Sequence, residues 1–455
     1  MDKLETNDLQ HFLLARTPAL SARYEFLTFR EVAAGRAWLS GLIDKVGTAS
    51  SVGAHSPDAR WVTLAFTWNG LRALGLDDDS LATFPDEFKQ GMAARAEILG
   101  ITGANHPDHW LGNLASPQLH AIAILFARDV PERERCRTEH ARYLDQIDGV
   151  DVLSSLDLEA IPPFTYPHEH FGYRDRLSHP LIEGVDPGAI CGWEKPTKAG
   201  EFFIGYIDES GYIPVAPQPD ILSRNGSYIA YLRMEEHVGV FRDFLRRNGN
   251  SIEEQELVAA KLMGRWRSGA PLTLCPDKDN PELAADSKRT NDFNYGKMDP
   301  YGYGCPVGSH MRRMNPRDTA ESMERHKMIR RGGTYGPALP EGVPDDGIER
   351  GIAAFVGCAS LVRQFEFAMA VWTNDPNFKG LGNERDPFVG TQDGTFDYTI
   401  PKRPIKKKIK GLPAFTTIRG GAYFFLPGIR ALHYLASGPQ TRTSLQNEGE
   451  LQWHN

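Results

Sequence analysis

Cysteine is scarce in this chain. There are five in 455 residues, at Cys136, Cys191, Cys275, Cys305 and Cys358. An odd, scattered set in a long chain points to reduced thiols rather than a disulfide framework. No Cys-x-x-Cys occurs, so a zinc site has no ready set of thiolate ligands. Long apolar runs are also missing, which excludes a membrane-spanning helix of about 20 residues. The first residues, MDKLETNDLQHFLLARTPAL, hold neither an extended apolar core nor a twin arginine, and the last, LQNEGELQWHN, carry no targeting pattern. A cytoplasmic location is the expectation. An excess of positive charge is absent too: the net charge is −8, which argues against general nucleic-acid binding, where phosphate contacts dominate affinity. No tandem repeat is visible.

What is present is an ordinary globular composition, 41% hydrophobic and 24% charged. The length exceeds one ordinary core and points to two domains. Tyr24–Phe29 reads as a strand, Arg30–Val46 as an amphipathic helix, Trp61–Phe66 as a strand and Trp68–Leu74 as a helix. Leu119–Phe126 is an apolar strand and Arg135–Ile147 a charged helix. The rhythm predicts α+β layering, with helices on an antiparallel sheet. Residues 205–220 hold three prolines and two glycines. Such punctuation places a domain boundary near Pro214–Asp220. Beyond it, Tyr228–Met234 reads as a strand, Val238–Arg247 as a helix, Ile348–Trp372 as one long helix and Phe415–Leu426 as a strand.

The most informative stretch runs from Gly304 to Gly336, GCPVGSHMRRMNPRDTAESMERHKMIRRGGTYG. His310 stands there without thiolate or carboxylate partners at ligand spacing. One imidazole can nevertheless be the only protein ligand of a haem iron, because the porphyrin supplies four nitrogens. Seven basic side chains follow it: Arg312, Arg313, Arg317, Arg325, Lys327, Arg330 and Arg331. Guanidinium groups bind carboxylates bidentately, and haem propionates are carboxylates. On residue types alone, an isolated histidine beside a solvated arginine-rich face describes the stretch better than a haem site does.

The order of the residues changes that balance. CPVGSHMRRMNPRD, followed by MIRRGGTYGP, resembles the signature of the dye-decolourising peroxidases, and the resemblance extends over nearly the whole chain, to RGGAYFFLPGIRAL near its end. It implies two ferredoxin-like domains, residues 1–215 carrying the distal acid motif and residues 216–455 holding most of the haem pocket. It implies one haem b per chain, His310 as proximal iron ligand and Arg330 as distal arginine. Arg312, Arg313 and Arg317 are then candidate propionate partners. Phe424 and Phe425 are candidate neighbours of the haem plane, a role compatible with plain core packing. His326, four residues before Arg330, would share a helical face with it and line the haem edge; an exposed helical position fits it equally well.

Activating a peroxide needs a base to take its proton and a cation to stabilise charge on the departing oxygen. Arg330 is the candidate cation. The family's G-x-x-D-G motif has a literal match at Gly390–Gly394, which offers Asp393, and an imperfect one at Gly172–Arg176, which offers Asp175. Asp175 is preferred because its context, HFGYRDRLSHPLIEG, resembles the family's segment almost throughout and precedes the ligand histidine. Asp393 suits a surface turn. Arg176 departs from the motif glycine, and beside Asp175 it would lower the acid's pKa or displace it. If dye oxidation limits the rate, an aspartate base predicts turnover that favours acid pH.

A proximal histidine usually donates its second ring N–H to an acid or carbonyl; Glu366 is the expected partner. His168 and His170 would face one side of a strand, without a third metal ligand in sight. The run Lys402, Arg403, Lys406, Lys407, Lys408 and Lys410 suits a solvated loop better than an anion site. The resemblance thus implies a peroxidase using hydrogen peroxide and dye, phenolic or similar aromatic donors, with homo-oligomers common among relatives. Two other classes stay open: a haem-handling protein with little turnover, which the Arg176 departure would favour, and a haem-free binding scaffold.

Overall fold

The computed structural model describes residues 3–14, 21–53, 61–162, 167–175, 177–185 and 194–438. Cys191 and Arg176 lie outside them. Ten strands are defined among the described residues: β1 Ser21–Phe29, β2 Val62–Phe66, β3 Ala121–Ala127, β4 Val150–Glu159, β5 Ser227–Glu236, β6 Ile329–Tyr335, β7 Gly351–Cys358, β8 Tyr398–Ile400, β9 Lys407–Ile409 and β10 Thr416–Leu426. Eight of them form one antiparallel sheet in the order β4-β1-β3-β2-β10-β5-β7-β6; β8 and β9 pair separately.

That order is one pattern written twice. In β1 to β4, with helices Val32–Ser40 and Val130–Leu144 as crossovers, the chain runs β-α-β-β-α-β and the sheet order is fourth, first, third, second. The same pattern recurs in β5, helix Val238–Asn248, β6, β7, a helical segment, and β10. The α+β fold of paired ferredoxin-like units stands. The units meet at a narrow seam, where β2 pairs with β10 only at Phe66 and Phe425. Gln10 reinforces it, its Nε2 donating to Leu64 O at 2.8 Å and to Pro427 O at 2.9 Å. The outer edges also approach: Thr334 Oγ1 donates to Glu159 O at 2.6 Å, and Leu158 lies against Gly333. The sheet therefore curls towards a barrel.

Two-residue periodicity sends alternate side chains to two cores. From β1, Leu27 and Phe29 join the helices outside the sheet, whereas Tyr24 and Phe26 point inward to Tyr231 and Phe355 of the second unit. The rings of Tyr24 and Phe355 are 5.1 Å apart and edge-on, a favourable arrangement. Helix Ile429–Ser437 returns from the end of β10 to cover the first unit, burying Leu432 and Leu435 in the core that holds Trp38.

The expected long helix Ile348–Trp372 is a correction. Its first part is β7, with burial alternating along Gly351–Cys358, and only its second part is helical, as π-helical turns at Leu361–Glu366 and Ala368–Thr373. Ser360 marks the change, its side chain accepting from Arg363 N as an N-cap.

Candidate active site

The large cavity among the described residues measures about 570 Å³, the scale of a cofactor pocket. Strands β5, β6 and β7, the helical segment after β7, the segments 167–175 and 177–179 and the helix opened by His310 all contribute to its wall. Much of that wall is apolar, from residues such as Leu232, Ile352, Val356, Phe365 and Phe388.

His310 is the first residue of helix His310–Met314. Its Nδ1 is shared between both carboxylate oxygens of Asp386, at 3.1 and 3.0 Å, which leaves Nε2 as the ring nitrogen available to a ligand. Asp386 is fully buried. Burial would raise its pKa, but the His310 imidazole, the Val389 amide and Arg313 outweigh burial and hold the carboxyl below the usual range. The N–H groups of Phe388 and Val389 donate to its Oδ1 at 2.9 and 2.8 Å. The expected partner, Glu366, sits elsewhere: it forms a bidentate pair with Arg95 at 2.5 and 2.6 Å and accepts from the Tyr423 hydroxyl. The acid behind His310 is Asp386, which the sequence reading missed.

The three arginines expected to face a cofactor do not line the cavity. Arg312 donates to Cys305 O at 2.8 Å and Asp299 O at 3.0 Å, clamping the turn before His310. Arg313 is fully buried and donates to Trp372 O at 2.6 Å and Glu384 O at 2.5 Å. Glu384 is two residues from Asp386, so Arg313 holds the Asp386 segment against the His310 helix. Arg317 donates to Asn291 O and Phe293 O and stacks on the Phe293 ring at 3.7 Å. The basic residues on the cavity wall are instead Arg174, Arg265, Arg330 and Arg331. Burial lowers the pKa of Arg265 to about 10.

Asp175 and Arg330 both line the cavity. The Asp175 amide donates to Pro167 O at 2.8 Å, and Arg330 reaches the segment 177–179 through Ser178 O at 3.4 Å. Along β6, Arg330 falls on the cavity side while its neighbour Ile329 is buried in the inner core. Gly332 follows with φ +150°, where a Cβ would come within 2.1 Å of Ala353 O; this position demands glycine. Two more carboxyls share the wall. Glu169 accepts from the amides of Phe171 and Tyr173 at 2.7 and 2.6 Å, and Glu236 accepts from the His170 amide at 3.2 Å. Loss of water raises the pKa of both, that of Glu169 to about 7, and the neighbouring charges of Glu169 and Asp175 push Glu236 up further.

Other expected site residues lie apart. His326 stacks on Phe367 at 4.0 Å with Nδ1 at 2.6 Å from Arg363 O, off the cavity. Phe424 and Phe425 are fully buried core residues, one in each core, and neither borders the cavity. Of the two histidines at 168 and 170, only His168 lines it; His170 Nε2 is 2.9 Å from Tyr335 O. Asp393 is exposed in a turn, where its Oδ1 accepts from the Thr395 amide at 2.9 Å and hydroxyl at 2.5 Å, outside the cavity. No cluster of three or more metal-ligating side chains occurs among the described residues. No helix there is long and apolar enough to cross a membrane.

No family model matches the chain. Individual proteins do. Peroxidase 2 of Mycetinis scorodonius is 29% identical over 401 residues, covering 82% of this chain and 75% of the relative. Multifunctional dye peroxidase DyP2 of an Amycolatopsis strain is 28% identical over 477 residues, covering 96% of each. Among solved structures, an ancestral D-type dye-decolorizing peroxidase superposes with a TM-score of 0.83 at 26% identity, over 95% of this chain and 99% of that one. A dye-decolorizing peroxidase from Pleurotus ostreatus gives 0.84 at 25%, over 96% and 100%. Paired ferredoxin-like units around this cavity therefore define a peroxidase. More narrowly, the relatives and solved structures that this chain resembles over most of its length are dye-decolourising peroxidases.

Proposed function

We propose that the protein is a haem b-dependent peroxidase that reduces hydrogen peroxide and oxidises dyes, phenols or similar aromatic donors. The carrying observation is the His310–Asp386 pair opening on the same apolar cavity as Asp175 and Arg330. The donor set fits haem: one imidazole suffices only for a metal that brings its own ring of ligands. Apolar walls suit the macrocycle, and Arg265 and Arg331 are basic groups on the wall for its carboxylates. When bound, the haem supplies the redox chemistry. Asp386 accepts the Nδ1 proton of His310 as a hydrogen bond, fixing the ring and raising the basicity of Nε2. Asp175 takes a proton from one peroxide oxygen and returns it to the other, while the Arg330 guanidinium stabilises charge on the departing oxygen. A phenol complex is known for one similar protein, a dye-decolorizing peroxidase bound to 2,6-dimethoxyphenol; donors of that kind suit this reading. The two units, 1–215 and 216–455, act as domains that supply Asp175 and His310 respectively, and the reaction takes place in solution, away from membranes and nucleic acid.

The test is stopped-flow absorbance of the haem-loaded protein on mixing with peroxide, beside Asp175→Asn. A fast Soret change, slowed about 10²- to 10⁴-fold in the variant, is expected for loss of a general acid–base. An equal, fast change in both would remove Asp175 from its role. No change in either would overturn the reading.

A further inference from the structure

Methionine is concentrated where the chemistry is. Of ten methionines in the chain, six line this one cavity: Met234, Met263, Met311, Met314, Met328 and Met369. Thioethers fill irregular apolar space well, but leucine would serve without the liability that sulfur carries beside a peroxide. The six are not equivalent. Met311 and Met314 lie on the short helix that begins with His310. Met328 immediately precedes β6, two residues before Arg330. Side chains two apart along an extended segment share a face, and the intervening Ile329 is buried in the inner core. Met328 is therefore placed with Arg330, on the part of the wall where peroxide is handled. Outside the cavity, Met298 is 50% exposed and offers a thioether to bulk solvent.

We propose that Met328 is a built-in oxygen acceptor: a modification site at which the protein's own peroxide chemistry forms methionine sulfoxide. The inference rests on the function proposed above. In the net step the Met328 sulfur forms a bond to one oxygen of hydrogen peroxide and the O–O bond breaks. The sulfur loses two electrons and the peroxide gains them. The second oxygen leaves as water, carrying both protons, one of which Asp175 transfers from the oxygen that stays on sulfur. The product is a polar S=O group in an apolar wall. It alters the packing of Met328 against the outer core and so limits the protein's working life under excess peroxide in the absence of an aromatic donor.

Peptide mapping by mass spectrometry reads this without an activity assay. Haem-loaded protein and haem-loaded Asp175→Asn are treated with a few equivalents of hydrogen peroxide, without donor, and digested. The expected result is a gain of about 16 Da on the Met328 peptide, ahead of Met298, in the unmodified sequence. In Asp175→Asn that gain falls sharply while Met298 is unchanged. Adding an aromatic donor suppresses it, and Met328→Leu raises the number of turnovers before the Soret band bleaches. Oxidation of Met298 first, or equal Met328 oxidation in both proteins, overturns the proposal. So does an intact Met328 in a sample that oxidises dye, an outcome that leaves the peroxidase reading standing. A sample with no Soret response and no dye oxidation overturns both.

Discussion

At the scale of single residues, the decisive contact is His310 with Asp386. Replacing Asp386 by Asn keeps the shape but removes the charge that makes Nε2 basic. The expected outcome is a 10- to 100-fold loss in haem affinity or activity, measured by haem titration and by the position of the Soret band. Glu366→Gln, in contrast, should leave that band in place, because Glu366 answers to Arg95 and Tyr423. That His310, Arg330 and Asp175 share one cavity was legible in the sequence, because each sits in a short contiguous motif. Asp386 was not: it lies 76 residues beyond His310, and nothing in its local string distinguishes it from other carboxylates. Only the fold brings it to the histidine. The three arginines misled for the opposite reason. Their nearness in sequence to His310 suggested a shared task at the cavity, but helix geometry sends Arg312 and Arg313 away from it, to carbonyls that need donors.

Those carbonyls explain the motif at the scale of elements. A five-residue helix such as His310–Met314 has little intrinsic stability. It is held by Arg312 gripping the turn before it and by Arg313 gripping the segments that contain Trp372 and Glu384. Arg313→Met fills much the same volume and leaves two buried carbonyls without donors. It should cost roughly 3 kcal/mol or more, read as a lowered denaturation midpoint, with haem content per folded molecule unchanged. A cofactor-binding arginine would show the reverse pattern. Element prediction succeeded where one periodicity ran uninterrupted, as in β1, β3, β5 and β10. It failed at Ile348–Trp372, where Ile352, Ala354 and Val356 alternate at strand spacing and then Ser360 opens a helix; two short periods were merged into one long helix.

At the scale of the whole molecule, Glu169 and Glu236 join the connection between the two units to the end of β5. Both carboxyls hold their protons to higher pH when folded than when unfolded. Between the ordinary glutamate range and about pH 7 the unfolded chain therefore binds fewer protons than the folded one, so stability falls as pH rises through that window. Glu169→Gln should flatten the fall, as seen in denaturation midpoints from pH 4.5 to 7; an unchanged slope would remove the pair from the stability of the fold. The doubled unit was only half visible in the sequence: the α+β rhythm could be read, but the seam between β2 and β10 depends on residues more than 350 positions apart. Helix Ile429–Ser437, which crosses that seam to cover Trp38, imposes an order on synthesis. Although the first unit is translated first, the part of its core around Trp38 stays uncovered until the codons for Ile429–Ser437 are translated. During that interval the nascent chain is a natural client for chaperones, and a transcript truncated before this helix would yield a first unit with no lid.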